Sequence, residues 1–314
     1  MTDKPDIIVI TGPTATGKTA LGAHLAKALD GEVVSADSMQ IYKHMDIGTA
    51  KPSAGDTLGI KHHMIDIVMP WEDYSAARYI REAAFCIEGI TGRGKMPVLV
   101  GGSGLYIDSL LSGRSFSVIG DPELRHALEK EYDDKGGNAM LHKLGEVDPE
   151  SAATLHANDK KRIVRALEVY MTAGKTISRH DAETKILPPR YNAVKYALNF
   201  QERAVLYSRI DERVDAMISG GLEREVRALL GMGVTQSSTS MQAIGYKEIA
   251  EAIGNDSGIY AAIDKIKMES RRYAKRQLTW LRRGKDLQWI EWTDEPDIET
   301  GLAAILDRGN FETK

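Results

Sequence analysis

The chain has 314 residues, 42% hydrophobic and 27% charged, with a formal net charge of -4, which is the make-up of a globular protein with one large domain or a domain carrying an insertion. No apolar run is long enough to cross a bilayer, and the single cysteine, Cys86, excludes an internal disulfide and a multi-cysteine zinc site. The first five residues are polar and lack the basic and apolar regions of a secretory signal, so the expected compartment is the cytoplasm and the default assembly a monomer.

Asp6–Thr11 (DIIVIT) is apolar on both faces, as in a strand buried within a parallel sheet. Residues 18–29 follow as a helix and Glu32–Ser35 as a second strand. Residues 74–90 predict a helix with Ser75 as a candidate cap and apolar positions at 77, 80, 84 and 87. Pro97–Val100 (PVLV) is another buried strand and runs into Gly101-Gly102. Strand and helix alternating in this way predict an α/β fold, a parallel sheet with helices on both faces. From Asp121 helical segments take over, at 122–133, 139–146, 149–155 and 160–172, with Asp121-Pro122 and Asp148-Pro149 as cap and first-turn signals. The strand pattern returns at 193–200. Helices at 203–218 and 222–230, a long helix at 259–283 and a late strand, Leu287–Trp292, complete the chain. The expected organisation is a P-loop NTPase-like core formed by 1–116 and 191–314, interrupted by a helical insertion domain at 117–190.

Gly12-Pro13-Thr14-Ala15-Thr16-Gly17-Lys18-Thr19 fits G-x-x-x-x-G-K-[ST], and it lies where that motif must, after a buried strand and opening a helix. The glycines let the backbone curl so that successive N–H groups point at an anion. The helix N-terminus adds partial positive charge. Lys18 reaches phosphate oxygens, and the Thr19 hydroxyl is the expected Mg²⁺ ligand. The loop implies a diphosphate or triphosphate without naming the substrate. ATP and phosphoryl transfer would be the ordinary reading. Against it, Pro97–Val100 ends in Gly-Gly-Ser-Gly rather than in the Asp of a Walker B strand, and no arginine-rich lid adjoins the loop. Asp37, just past the second strand, falls at the sheet edge where α/β ligands bind. It could take a proton from a nucleophile, hold Mg²⁺ through water, or cap the next turn, and spacing alone leaves all three open. Eight basic residues lie between 267 and 285 (Lys267, Arg271, Arg272, Lys275, Arg276, Arg282, Arg283, Lys285) against one acid, Glu269. Such a patch can bind phosphates, although taken alone the run reads as a solvated helix face.

Longer stretches carry a resemblance: GPTATGKT at 12–19, SADSMQIYKHMDIGTAKP at 35–52, KHHMIDIV at 61–68, GGSGLYIDSLLSG at 101–113, DKKRIVRALEVY at 159–170, RIDERVDAMI at 209–218, MQAIGYKE at 241–248 and RRYAKRQLTWLR at 271–282. Together they resemble the bacterial tRNA dimethylallyltransferases (tRNA isopentenyltransferases) over nearly the whole chain. The resemblance, not the composition, implies the substrates: dimethylallyl diphosphate and the adenine just 3′ of the anticodon. It implies that Asp37 is the general base for the adenine N6 amine, and that Lys18, Thr19 with Mg²⁺, the loop amides of Gly12 to Thr19 and Arg213 stabilise the departing diphosphate. It further implies tRNA contacts at Asp37, Ser38, Met39 and Gln40, at Ser103 and Arg125, at Lys161, Arg162, Ile163, Val164 and Arg165, and at Gln242, Ala243, Ile244, Gly245, Tyr246 and Lys247. Arg276, Gln277 and Trp280 are expected to meet anticodon-stem phosphates. Ser103 stands where the family usually has Thr, so the hydroxyl survives without the methyl. His62 and His63 resemble paired histidines of the family and receive no role. Asp133-Asp134-Lys135 is not the DDxxD element of chain-elongating prenyl synthases. The competing readings are a P-loop small-molecule or nucleoside kinase, and an adenylate isopentenyltransferase acting on free nucleotide.

Overall fold

The computed structural model of the chain describes residues 6–113, 120–185, 188–255, 258–284 and 286–309. The expected domain boundary at 116 and 117, and Lys285 of the basic run, lie outside the described residues. The chain divides into two compact units, Met1–Leu111 with Tyr191–Lys314, and Ser112–Arg190.

The first unit is built on a six-stranded sheet in the order β3-β2-β4-β1-β5-β6, formed by β1 (Asp6–Thr11), β2 (Glu32–Ser35), β3 (His62–His63), β4 (Pro97–Val100), β5 (Asn192–Phe200) and β6 (Leu287–Trp292). Every pairing is parallel. The side-chain period of two explains the unbroken apolar runs. Ile7, Val9, Val34 and Leu99 face one core, against α2 (Ala76–Gly92), α3 (Gly104–Leu111), α10 (Leu222–Gly231) and α11 (Tyr246–Gly254). Ile8, Ile10, Val33 and Val98 face the other, against α1 (Lys18–Ala28), α9 (Arg203–Ser219), α12 (Ile259–Leu281) and α13 (Ile298–Gly309). Each fully buried Ile or Val contributes about 1.5–3 kcal/mol. The register is what matters for function. Ile10 and Ser35 both lie level with Val100, so β1, β2 and β4 end side by side and release their loops at one edge.

The second unit holds α4 (Pro122–Lys135), α5 (Gly137–Val147), α6 (Pro149–Thr154), α7 (Lys160–Ala173) and α8 (Ile177–Lys185) around its own core of Leu128, Met140, Leu144, Ile163, Val164 and Leu167. The predicted caps are in place. Asp121 accepts from the amides of Glu123 and Leu124, Asp148 from Ser151, and, in the first unit, Ser75 from Arg78. Five elements were not readable from pattern: β3, α3, α8, α11 and α13. The strand β3 is two residues long. In α13, Gly301 interrupts the helical pattern because a Cβ there would stand 2.6 Å from the Trp292 ring. No helix among the described residues is long and apolar enough to cross a membrane.

Candidate active site

The three level strand ends supply the site. After β1 the phosphate loop turns through Gly12 (φ +149) and Gly17 (φ +80). A Cβ on Gly12 would lie 2.5 Å from the Leu198 carbonyl oxygen of β5, so side-chain volume is excluded there as well as by φ. Gly17 caps α1 without any side chain to accept from the first-turn amides, which leaves them for an anion. Inside the loop the Lys18 ammonium donates to the Pro13 carbonyl at 2.6 Å, and the Thr16 hydroxyl donates to the same oxygen at 2.9 Å.

After β2, Asp37 closes a tight turn. Its Oδ1 accepts from the amide of Met39 at 2.8 Å and of Gln40 at 3.4 Å. Among the described residues no hydrogen bond holds Oδ2. The turn cap thus engages one of the two carboxylate oxygens. The Ser38 amide donates to the Ser103 hydroxyl at 3.0 Å, and the Ser103 amide donates to the Ala36 carbonyl at 3.1 Å, so the loop after β4 braces the Asp37 turn from behind. Gly101 permits this approach, since a Cβ there would come 2.2 Å from the Ala36 oxygen.

Lys18, Thr19, Asp37 and Arg213 open into one cavity of about 350 Å³. Burial, and then the positive charge of Arg213, push Lys18 down to about 7, with Asp37 opposing. Burial lowers Arg213 as well, again offset by Asp37. Two half-buried cations and one carboxylate lining the same cavity form a site short of negative charge, which an anion would supply. Burial, followed by the Asp37 charge, pushes the Tyr273 phenol up to about 12, so it stays a donor at neutral pH. Ile210, Val214, Met217, Ile244 and Ile266 add apolar surface to the lining.

Residues 40–284 match the family model described as IPP transferase, and residues 5–67 match that described as isopentenyl transferase. The chain belongs to the IPP transferase family. A tRNA dimethylallyltransferase of Acetivibrio thermocellus is 46% identical over 96% of this chain and 96% of its own. The crystal structure of the full-length tRNA isopentenylpyrophosphate transferase from Bacillus halodurans superposes with a TM-score of 0.73 at 40% identity, covering 98% of this chain and 96% of that one. A eukaryotic dimethylallyltransferase acting on tRNA gives a TM-score of 0.82 at 29% identity, covering 99% of this chain and 81% of that one.

Of the residues that the family resemblance singled out, Thr14, Lys18, Thr19, Asp37, Ser38, Met39, Gln40, Arg213, Gln242, Ala243, Ile244, Arg276 and Gln277 all line this cavity. Several of the singled-out residues are held within the protein. Tyr246 is fully buried; its hydroxyl accepts from the Gly48 amide and donates to Glu225, whose carboxylate also takes the amides of Asp46, Ile47 and Gly48. It fixes the cavity-wall loop rather than facing RNA. Gly245 is the buried N-cap of α11, with its amide given to Glu248. Gln277 is only 7% exposed and spends its amide within the protein. The Trp280 indole N–H donates to Asp108 at 2.6 Å and its ring covers Gly104, where a Cβ would meet it at 2.5 Å, so it packs helix on helix. In the helical unit, Ile163 and Val164 are core residues and present no side chain to a ligand, because the helical period turns them inward while Lys161 and Arg162 stay exposed. Arg125 and Arg165 both pair with Glu168, which is fully buried.

Three of the seven described basic residues in the run are neutralised. Lys267 pairs with Asp215, Arg271 with Asp211 and Arg272 with Glu269. Lys275, Arg276, Arg282 and Arg283 are exposed and form no ion pair among the described residues. His63 hydrogen-bonds Glu32 at 2.6 Å, and Glu32 also takes Arg93 at 2.7 Å, so one of the paired histidines is structural. His62 lines the cavity with Nδ1 on the Ile60 carbonyl. Sequence reasoning missed Tyr273 and Glu225; an aromatic and an acid at helical spacing carry no signal until the loops they hold are seen.

Proposed function

We propose that this protein transfers a dimethylallyl group from dimethylallyl diphosphate to N6 of the adenine 3′ of the anticodon in tRNA, releasing diphosphate. One observation carries the reading: one cavity lined by half-buried cations at a helix N-terminus, a half-engaged carboxylate, and apolar side chains suited to a five-carbon hydrocarbon. Loop amides, Lys18 and Arg213 hold the diphosphate and meet the charge that grows on it as the allylic C–O bond breaks. The adenine amine is a poor nucleophile because its lone pair is delocalised into the ring. As the N6–C bond forms, Oδ2 of Asp37 accepts the N6 proton while Oδ1 keeps the carboxylate aimed through the Met39 amide. The target base must leave its stack to reach this point.

The residues suit Mg²⁺. Thr19 opens into the cavity beside Lys18 and Asp37, and among the described residues no group of three or more His, Cys, Asp or Glu forms a closed cage. A hard cation held by one or two protein oxygens, water and substrate phosphates fits that donor set. When bound, Mg²⁺ would neutralise the charge of the diphosphate oxygens. The exposed Lys161, Arg162, Lys275 and Arg276 are the side chains this reading assigns to tRNA phosphates, and Ser38, Met39, Gln40, Gln242 and Lys247 the ones nearer the base. In this reading the protein works in the cytoplasm as a monomer.

The test is incubation with radiolabelled dimethylallyl diphosphate and magnesium, with tRNA or AMP as acceptor. Label appears in tRNA and not in AMP. Transfer to AMP, or ATP turnover with no tRNA present, would replace the reading with one of its competitors.

A further inference from the structure

Gln277 was expected at the RNA surface, yet it is buried at 7% exposure between two loops far apart in sequence. Its Oε1 accepts from the Thr14 amide of the phosphate loop at 3.1 Å, and its Nε2 donates to the Gly102 carbonyl after β4 at 3.0 Å. One planar amide thus sets the spacing between the loop that follows β1 and the loop that follows β4. Gly102 has no room for a side chain: a Cβ would fall 2.3 Å from Gln277 Nε2 and 3.3 Å from the Gly12 oxygen. The phosphate loop has reason to need an outside anchor. Ala15, next to Thr14, holds φ +67, a conformation costly for a residue with a Cβ, and such backbone persists only where its surroundings impose it. The Thr14 amide is also spent on Gln277, so the remaining loop amides, with Lys18, form the anion cradle.

We propose that Gln277 is a positioning residue for the diphosphate, holding the phosphate loop in its strained shape from α12 rather than contacting tRNA. The proposal rests on the diphosphate-binding reading above and adds to it the residue that shapes the cradle. The two internal bonds commit one N–H and one oxygen lone pair of the amide to the loops. Its neighbour Arg276 is exposed and forms no ion pair among the described residues, its guanidinium 5.7 Å from the Tyr273 ring centroid, whereas the Gln277 amide is buried in bonds to the two loops at the cavity wall.

The experiment compares the full-length protein with Gln277→Met, which keeps length without hydrogen bonds, and Gln277→Asn, which keeps the amide but is one methylene too short to span both loops. Titration calorimetry with dimethylallyl diphosphate and with inorganic diphosphate, filter binding of tRNA, and steady-state kinetics are measured on each. Both variants should raise the dissociation constant and KM for dimethylallyl diphosphate about tenfold or more, with kcat at saturation within about threefold. Their tRNA affinity should stay within about twofold of wild type, which also reports that they are folded. Wild-type diphosphate affinity in both variants overturns the proposal, as does a loss confined to tRNA. A variant with parallel loss of both affinities and of melting temperature indicates a merely structural role, and the same pattern in both variants overturns it too. If the wild-type protein itself binds neither diphosphate, the underlying reading falls and takes this proposal with it.

Discussion

Diphosphate binding should draw a proton from solution above neutral pH, and the amount follows from Lys18. Its ammonium is lowered from 10.5 to about 7, first by burial and then by Arg213. At pH 8 a group with that value is about 90% neutral, and at pH 6 about 90% charged. A bound diphosphate supplies the missing negative charge and restores the ammonium. The uptake is then about 0.9 proton per ligand at pH 8 and about 0.1 at pH 6. The ligand's own last phosphate ionisation, near pH 6, is complete at pH 8 and adds little there. The same linkage makes affinity fall about 50-fold between pH 7 and 9. Stability of the free protein moves the other way. The folded value lies below the unfolded one, so between about 7 and 10.5 the unfolded chain binds more protons and stability rises with pH, by up to about 1.4 kcal/mol per unit. Titration calorimetry in buffers of different ionisation enthalpy reads the uptake directly. Lys18→Arg, charged at every accessible pH, should abolish it. No uptake at pH 8 in wild type, or equal uptake in Lys18→Arg, would refute the argument.

Asp37→Asn should lower the single-turnover rate by about 10²- to 10⁴-fold with tRNA affinity unchanged, as expected where only proton acceptance is lost; matched losses would mean a binding role. At the buried end of β2, burial opposes ionisation of Glu32, but the bonds from His63 and Arg93 outweigh it and hold its carboxyl below the usual value of 4.5. That stability is present above about 4.5 and is lost as pH falls through the lower folded value, so Arg93→Ala should cost about 1–2 kcal/mol in urea denaturation at pH 7 and progressively less as the medium is acidified below 4.5. Lys275→Glu with Arg276→Glu should weaken tRNA binding and reduce the slope of log affinity against log salt by about 1 to 2, measured by filter binding. An unaltered slope would leave α12 a plain surface.

Much of this molecule can be read before folding. The runs at Asp6–Thr11 and Pro97–Val100 are apolar on both faces, which only a strand with helices above and below tolerates. The phosphate loop is legible because its chemistry is backbone chemistry: glycine spacing dictates where amides point, whatever surrounds them. The caps at Ser75, Asp121 and Asp148 are local bonds over two or three residues and need no tertiary partner.

What the fold alone decided is which polar side chains face the ligand and which face the protein. Gln277 and Arg276 are consecutive, polar and both at the cavity, yet Gln277 is buried in bonds to two loops, after β1 and β4, that meet α12 only once the sheet has formed, while Arg276 stays exposed. Tyr246 was drawn inward by Glu225, and Ile163 and Val164 by the core of the helical unit. Conversely Arg213, unremarkable on its helix, shares the cavity lining with Asp37 because α9 follows β5 from the sheet edge where the loops emerge. Local pattern determines backbone shape over a few residues. The division of a polar surface into site and scaffold depends on contacts hundreds of residues apart, which no local pattern encodes.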